Sequence, residues 1–451
     1  MKVSNKTSCM VKPAEPTWFG KLALSELDQT GVTTHVPTIY FYAQSPKDWV
    51  TVLDTLKTSL SCTLVHFYPL AGRLSSIARG RLELDCNAAG VHFTEAYADK
   101  KLTDLDCLLP SPIYHQLIPS IDYQSTLLEE IPLLVLQVTR FVCGGFSLGV
   151  NISHVVADGQ SAVHFVTEWA RISRGELLES PPYLDRKCLR AGDPSRASSM
   201  FEHAEFDPPP VLLDQSGNER ECEQETAVTM LKLTATQVEK LRNKANKSQE
   251  SEMSRGFTRY EVVTAHIWRS ACKARNHKPE QPTALAICID IRSKMTPPLP
   301  RKYFGNGIVN AIAIGCSGEI ISKPLGYVSG KLREVIEKVD DGYVHSVLDF
   351  LKSQQDLSQF RELQPTSNGE EHFYGNPNLG VISWLTLPIY GADFGWGKEI
   401  HMGPGTHDSD GDSLILHGKD GDGSLIVALC LQSRHMEDFQ KVFYQDIDME
   451  C

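Results

Sequence analysis

A histidine and an aspartate separated by three residues, His154 and Asp158, are the side chains of this sequence best suited to acid–base chemistry. A free imidazole titrates at about pH 6.5, so at neutral pH it can take a proton from a nucleophile and return it to a leaving group. The aspartate can share that chemistry or can hold the loop that carries the histidine. The pair predicts a general base at His154, with Asp158 acting either directly or as structural support.

The spacing alone is not distinctive. It recurs at His203 with Asp207 and at His345 with Asp349, among 15 histidines in the chain. These two pairs lie in a charged, proline-flanked stretch and in an amphipathic helical pattern, where neither histidine is expected to face a cleft.

The elements around His154 set it apart from these pairs. Residues Phe146–Ile152 alternate apolar with small or polar side chains, as in a strand, and Gly159 and Ser161 open a helical pattern at Ala162–Ala170. His154 is therefore expected at a strand end, where the backbone can present a side chain to a cleft.

The patterning divides the chain into halves at 1–180 and 226–451, joined by a linker at 181–225 that is rich in proline, serine and charge. Strand and helix patterns alternate in both halves, which predicts a mixed α/β class with helices flanking each sheet. The predicted strands are Pro37–Tyr42, Leu82–Asp85, Leu133–Thr139, Ser147–Ile152, Ala227–Leu233, Ala284–Ile289, Gly307–Ile314, Leu379–Leu385 and Ser424–Leu431, and the predicted helices are Trp49–Thr63, Ser161–Ile172, Thr236–Asn246 and Arg259–Ala274.

Bulk composition excludes several classes of protein. The 451 residues carry a formal charge of −12 spread along the chain, which disfavours nucleic acid and anionic membranes as partners. No apolar run is long enough for a membrane span, and the polar first twenty residues do not resemble a secretory signal. Twelve cysteines lie without paired metal-type spacing, so we expect reduced thiols, no metal and a cytoplasmic location.

Two further motifs accompany the histidine, Asp393-Phe394-Gly395-Trp396-Gly397 and Tyr68-Pro69-Leu70-Ala71-Gly72-Arg73. Together with His154 and Asp158, which lie between them in the chain, they closely resemble the plant BAHD acyltransferases, from the Val11–Pro16 segment to His435-Met436-Glu437. The resemblance implies two chloramphenicol-acetyltransferase-like domains, each a mixed sheet with flanking helices. A channel at their interface would hold the site, and a late strand would cross back to the first half. It also implies acyl transfer from coenzyme A thioesters, with no separate cofactor.

The resemblance assigns further residues. It implies that Arg292 pairs with Asp158 to hold the loop, and that a basic and hydroxyl set borders the coenzyme A side: Thr258, Arg259, Arg292, Ser293 and Lys294. Each of these side chains is equally plausible as solvated surface or as part of a structural ion pair. Asp393 is either a second proton-handling acid or, as we favour, part of a structural turn.

An acyl slot and an oxyanion donor are also implied. His35, Thr38 and Tyr40 would line an apolar slot for an aromatic acyl group, with ordinary core strand as the equal alternative. Trp384 is either core or an indole N–H close to the developing oxyanion, on the strand before the Asp393 motif.

The acceptor is where the sequence departs from one branch of the family. Shikimate and quinate transferases carry an arginine where this chain has Thr386, so a carboxylate there would lack its cation. The acidic turn Asp408, Asp410 and Asp412 and several nearby segments instead resemble spermidine hydroxycinnamoyl transferases. Calcium is excluded there because an EF-hand would require glycine at Ser413.

We therefore predict a monomeric, metal-free enzyme that acylates spermidine from hydroxycinnamoyl-CoA, both being small-molecule substrates. The alternatives are an alcohol acceptor such as shikimate or quinate, or a non-catalytic ligand-binding relative.

Overall fold

The computed structural model describes residues 1–105, 112–192, 201–213, 224–247, 255–362, 373–405 and 409–448. The predicted mixed α/β class is confirmed, with two six-stranded sheets, a three-stranded sheet and flanking helices in the described residues. The strands are β1 (Val3–Val11), β2 (Gly20–Ala23), β3 (His35–Tyr42), β4 (Arg73–Ile77), β5 (Arg81–Cys86), β6 (Val91–Ala98), β7 (Leu134–Phe141), β8 (Phe146–Ser153), β9 (Thr226–Leu233), β10 (Pro282–Asp290), β11 (Ile308–Cys316), β12 (Leu379–Ser383), β13 (His401–Pro404), β14 (Asp412–His417) and β15 (Leu425–Gln432).

The helices follow the same patterning. They are α1 (Glu26–Gln29), α2 (Trp49–His66), α3 (Gly159–Ser173), α4 (Ala235–Lys247), α5 (Arg259–Ala274), α6 (Ser317–Ser322), α7 (Leu325–Lys338), α8 (Asp341–Ser353), α9 (Ser358–Glu362) and α10 (Ser433–Asp448). None of these helices is long and apolar enough to cross a lipid bilayer.

The first large sheet has the order β1-β6-β7-β8-β3-β13, in which only β6 and β7 are parallel. Strand β8 lies near its middle and is buried along its whole length, because its neighbours and helices α2 and α3 cover it. This burial fixes the strand end from which His154 projects. We call this sheet with α2 and α3 the first lobe.

The second large sheet has the order β11-β10-β12-β14-β15-β9. Strand β12 is parallel to β10 and to β14, so the ends of β10 and β12 lie at one edge of the sheet and the starts of β12 and β14 at the other. Helix α5 packs on this sheet through an almost wholly buried surface. We call this sheet with its helices the second lobe.

One strand is exchanged between the lobes. Strand β13 belongs to the second half of the sequence but pairs with β3, so it completes the first sheet, as the family resemblance implied. Nearby, the hydroxyl of Tyr42 donates to the carbonyl of Ala392 across the two halves (2.8 Å). The first large sheet thus takes five strands from residues 1–180 and β13 from residues 226–451, and all six strands of the second large sheet come from residues 226–451.

The predicted linker packs against both lobes where it is described. Arg186 and Leu189 are buried within a 3-10 turn, Arg186–Leu189, and a second such turn lies at Ala204–Phe206. The sequence predicted a linker without periodic structure here because the stretch is rich in proline. Its buried residues were not predicted, since isolated buried side chains produce no periodic pattern.

Candidate active site

The loop between β8 and α3 presents His154. Its neighbours Val155, Val156 and Ala157 are buried and anchor the loop, whereas His154 is only partly buried. Its main-chain N–H donates to Thr34 (3.2 Å). Among the described residues no group hydrogen-bonds the His154 imidazole, so both ring nitrogens are available to a substrate.

Asp158 faces away from this chemistry. It is the N-cap of α3 and accepts the N–H of Ser161 (3.0 Å), while its second oxygen accepts the N–H of Gly307 (2.9 Å). Arg292 forms two contacts with the same carboxylate, at 2.9 and 2.8 Å. Burial alone would raise the pKa of the Asp158 carboxyl, but the Arg292 charge and these hydrogen bonds hold that pKa below its ordinary value.

The Asp158–Arg292 ion pair therefore has the geometry that the family resemblance implied. The Asp158 side chain is 1% exposed and that of Arg292 is 12% exposed. With its hydrogen-bonding capacity committed to the loop and to Arg292, Asp158 serves as a support for the loop and not as a proton donor.

The Asp393 motif forms a tight turn. One oxygen of Asp393 accepts the N–H groups of Gly395 (2.7 Å) and Gly397 (3.0 Å), and both glycines have φ above 100°, a conformation that other residues rarely adopt. Arg174 donates to the main-chain carbonyl of Asp393. Partial burial would raise the pKa of the Asp393 carboxyl, but the hydrogen bonds from the two glycines and the Arg174 charge lower it.

This turn lies at the far end of α3 from the histidine. Ser173, the last residue of α3, donates to the carbonyl of Phe394 (2.7 Å), and the buried Phe394 ring packs edge-on against Trp169 at 4.8 Å. A helix of 15 residues is about 22 Å long at 1.5 Å per residue. Asp393 is therefore too far from His154 to exchange protons with it, and the geometry favours the structural interpretation over the catalytic one.

Trp384 lies next to the histidine loop, but not on a strand as predicted. Strand β12 ends at Ser383, and Trp384 opens a turn in which Leu387 donates to the Trp384 carbonyl (3.1 Å). The Leu387 side chain packs on Gly159, where an added Cβ would lie 3.0 Å from it. Because Gly159 directly follows Asp158, this contact places the turn beside the loop that carries His154. Within the turn, Trp384 is partly buried and Thr386 is exposed.

The predicted coenzyme A residues divide into two groups. Thr258, Arg259 and Ser293 are exposed. Thr258 caps α5 in a capping box with Glu261, and in the first turn of α5 the Tyr260 hydroxyl donates to the carbonyl of Val381, in the middle of β12 (2.8 Å). Ser293 follows the end of β10, so all three lie at the edge of the sheet where Trp384 lies.

The other two cations, Arg292 and Lys294, make contacts within the protein. Arg292 is held by Asp158, and the Lys294 ammonium donates to the carbonyls of Ile336 (3.2 Å) and Val339 (2.7 Å) at the end of α7. The Asp158 carboxylate offsets the Arg292 charge, whereas the two carbonyls hold the Lys294 ammonium in place without neutralising it.

The three residues of the predicted acyl slot do not lie on one surface. Side chains alternate across β3, so His35 lies on one face and Thr38 and Tyr40 lie on the other. His35 is buried, with ring nitrogens 2.9 Å from the Tyr123 hydroxyl and 2.8 Å from the Pro132 carbonyl. Because a carbonyl only accepts, the nitrogen facing Pro132 carries the proton.

Burial of His35 lowers its pKa to about 4, so it is a neutral structural histidine. Thr38 donates to the Val150 carbonyl (3.3 Å), and Tyr40 is 2% exposed within the first-lobe core. The geometry therefore favours the core-strand interpretation for His35 and Tyr40, and the slot is corrected accordingly.

The acidic turn is corrected too. Asp408 lies outside the described residues. Asp410 is 11% exposed and pairs with Arg275 (2.9 Å), while it accepts the N–H groups of Asn376 (2.8 Å) and Gln432 (3.1 Å). These contacts commit most of the carboxylate's hydrogen-bonding capacity to the fold.

The acidic turn also lies too far from the histidine loop to form the entrance for the acceptor. Asp412 pairs with Gly380 near the start of β12, four residues before Trp384. Four residues of strand span about 13 Å, and Asp410 lies still farther from the Trp384 edge.

Sequence patterns gave no indication of three buried residues beside the histidine loop: Asp28, Arg186 and Asn306. Each is 2% exposed or less, and they bond to one another and to the loop. The Tyr303-Phe304-Gly305-Asn306-Gly307 segment has the composition of a turn with two glycines, which was its only sequence signal.

Comparison with known proteins agrees with this fold. The family model described as "Transferase family" matches residues 1–446. A hydroxycinnamoyl-CoA:piscidic acid hydroxycinnamoyltransferase of Actaea racemosa is 45% identical over 98% of this chain and 99% of its own. A shikimate O-hydroxycinnamoyltransferase of Nicotiana tabacum is 41% identical over 98% of this chain and 100% of its own.

Among solved structures, vinorine synthase superposes with a TM-score of 0.73 at 25% identity, covering 97% of this chain and 96% of its own. The chain belongs to the Transferase family, the BAHD acyltransferases that its motifs resemble, and it is an acyltransferase.

Proposed function

We propose that this protein transfers a hydroxycinnamoyl group from its coenzyme A thioester to the hydroxyl group of a small organic acceptor. Support comes first from two relatives that match nearly end to end, both named as hydroxycinnamoyl transferases. Among the structural features, the observation that carries the proposal is the His154 imidazole, unpartnered among the described residues at the end of a rigid strand.

The chain's own groups can perform the transfer without a covalent enzyme intermediate. His154 takes the proton of the acceptor hydroxyl as its oxygen attacks the thioester carbonyl, and an oxyanion forms on the carbonyl oxygen. When the tetrahedral intermediate collapses, the carbon–sulfur bond breaks and the sulfur takes the proton from the imidazolium. The products are an ester and free coenzyme A, and the histidine returns to its neutral form.

The second lobe contributes the groups around this step. The Trp384 indole N–H, in the turn that packs on Gly159, is the candidate donor to the oxyanion. Thr258, Arg259 and Ser293 are exposed at the same edge of the sheet and are the candidates for contacts with the coenzyme A thioester.

A hydroxyl acceptor fits the structure better than the predicted spermidine. The polyamine prediction depended on an acidic mouth, but the Asp410 carboxylate is consumed by Arg275. An alkyl ammonium, with a pKa of about 10, must also lose a proton before it can attack, whereas an alcohol arrives neutral. Both relatives carry the name of an acid as acceptor.

Thr386 narrows the choice of alcohol. It is exposed in the turn beside the histidine loop and carries no charge. The carboxylate of shikimate or quinate would meet no cation at this position, so we propose an alcohol acceptor other than these two.

The test is an acceptor panel with the wild-type protein. Thiol release from p-coumaroyl-, caffeoyl- and feruloyl-CoA would be measured with piscidic acid, other hydroxy acids, shikimate, quinate and spermidine. Mass spectrometry would then distinguish an ester, which mild alkali cleaves, from an amide. We expect ester products; an amide of spermidine as the main product would overturn the proposal, and thiol release with none of the pairs would favour a non-catalytic relative.

Thr386→Arg tests the role of this position directly. A charge-assisted contact contributes about 1.5–3 kcal/mol, so we expect the shikimate KM to fall by roughly 10- to 100-fold while that for the thioester stays unchanged. Thr386→Val is the matched control, which alters the side chain without adding charge. An unchanged shikimate KM in Thr386→Arg would show that this turn does not contact the acceptor.

A further inference from the structure

Three consecutive main-chain carbonyls of the histidine loop accept hydrogen bonds from two buried side chains. The Asn306 amide nitrogen donates to the carbonyl of His154 (2.7 Å) and lies 3.3 Å from that of Val155. The Arg186 guanidinium donates to the carbonyl of Val156 (2.9 Å). In a loop between a strand and a helix these carbonyls lack ladder partners, and burying them unbonded would be costly.

Asp28 joins the two donors. One of its oxygens accepts both the main-chain N–H (2.8 Å) and the amide (3.0 Å) of Asn306, and the other pairs with Arg186 at 2.6 Å. The Arg186 and Asp28 side chains are 1% and 0% exposed, and Ser25 adds a further hydrogen bond to Asp28 (2.7 Å). The Asn306 amide is thus fixed in orientation before it reaches the loop.

The main chain of Gly31 packs closely against the His154 carbonyl. A Cβ added at Gly31, which follows α1, would lie 2.9 Å from the His154 carbonyl oxygen. The carbonyl that receives the Asn306 amide is therefore confined from a second side, and displacing it would move the residue that carries the imidazole.

The donors come from different parts of the chain. Asn306 lies between β10 and β11 in the second lobe, Arg186 lies in the linker, and His154 lies in the first lobe. Gly307, next to Asn306, also contacts Asp158 (2.9 Å). The second lobe thus holds the loop at both the histidine end and the aspartate end.

We propose that Asn306, oriented by Asp28 and Arg186, is a positioning residue for His154, which fixes the main chain of the loop so that the imidazole is correctly placed only when the two lobes are docked. The inference rests on the proposed role of His154 as the base. It is distinct from the Asp158–Arg292 pair, because it acts on the histidine residue's own carbonyl.

The test compares Asn306→Ala with Tyr42→Phe. Tyr42→Phe removes a different hydrogen bond between the halves, from its hydroxyl to Ala392, and is the matched control. A displacement of about 1 Å can cost roughly 10²-fold in rate, so we expect kcat to fall about 10²-fold in Asn306→Ala and less than about twofold in Tyr42→Phe. Calorimetry with coenzyme A should give unchanged stoichiometry and Kd for both variants.

Hydrogen exchange of residues 154–158, followed by mass spectrometry, supplies a reading that does not depend on activity. We expect faster exchange there in Asn306→Ala and wild-type exchange in Tyr42→Phe. If Asn306→Ala folds poorly, Asn306→Ser, which removes the amide but keeps a polar side chain, provides the same comparison.

Three outcomes would overturn the inference: a kcat loss matched by lost binding stoichiometry, unchanged exchange of the loop, or faster exchange with unchanged kcat. If the wild type transfers no hydroxycinnamoyl group at all, the proposed function fails by itself. The exchange measurement would still report whether Asn306 holds the loop.

Discussion

The two aspartate motifs of the family lie at opposite ends of helix α3, and their aspartates stabilise different parts of the structure. At the N-terminal end, Asp158 caps the helix and binds Arg292, so that the preceding loop presents His154. At the C-terminal end, Asp393 closes its own glycine turn, and Phe394 seats that turn in the core.

The difference lies in what surrounds each carboxylate. Asp158 meets an arginine and one backbone donor, Gly307, from the second lobe, whereas Asp393 accepts N–H groups from two glycines within four residues of it. A change at Asp158 should therefore disturb both the contact between the lobes and the position of His154. A change at Asp393 should disturb only its own turn, which lies about a helix length from His154.

The largest effect should come from removing the imidazole. In His154→Ala we expect kcat to fall by roughly 10²- to 10⁴-fold, the usual contribution of a general base, because neither end of α3 offers a substitute. Thiol release with caffeoyl-CoA and the best acceptor measures this, with circular dichroism to show that the fold persists. Wild-type turnover in this variant would disprove the base assignment.

Asp158→Asn should follow, and Asp410→Asn is its matched control. Each change removes the nearest carboxylate from a mostly buried arginine, and Arg292 keeps only its longer contact with Asp290 (3.4 Å). We expect a cost of roughly 3–5 kcal/mol in the free energy of unfolding, measured by urea denaturation. Only Asp158→Asn should also lower kcat per folded molecule, since Asp410 lies at the opposite edge of the second sheet. Equal kinetic losses in both variants would mean that the loss reflects stability alone.

Asp393→Asn should have a smaller effect. The amide oxygen can still accept the glycine N–H groups, so we expect a stability loss of about 1 kcal/mol and kcat per folded molecule within twofold of wild type. A large loss of kcat with intact coenzyme A binding would instead restore a catalytic role for Asp393.

The last effect concerns His35 and is absent at neutral pH. The pKa of His35 is about 4 in the folded protein and about 6.5 in the unfolded chain. Between these two pH values the unfolded chain therefore binds a proton at His35 and the folded protein does not. The contribution of His35 therefore lowers the stability as the pH falls from about 6.5 to 4, and it is absent above that range.

His35→Gln should make the free energy of unfolding less steep in pH across this window, by up to one proton, or about 1.4 kcal/mol per pH unit. Urea denaturation at a series of pH values measures the slope. An unchanged slope would show that His35 does not titrate as a buried neutral group.

The elements that position the site were predictable because they are strongly patterned. Strand β8, helix α3 and helix α5 repeat apolar residues at strand or helix spacing, and their bounds agree with the prediction within two residues. Strand β1 was not predicted, because seven of its nine residues are exposed and only pairing with β6 holds it in the sheet.

The sequence by itself determined the family, the histidine and its setting at a strand end, since motif order and apolar periodicity are local properties of the chain. Only the tertiary structure decided which charges are free. From the sequence, Lys294 and Asp410 were predicted to bind substrates. In the structure Lys294 instead contacts the Ile336 and Val339 carbonyls, and Asp410 pairs with Arg275. All these partners lie 42 or more residues away in the sequence. Likewise Asn306 reaches His154 only because two lobes dock, and the free energy of burying such polar groups depends on neighbours that no local pattern specifies.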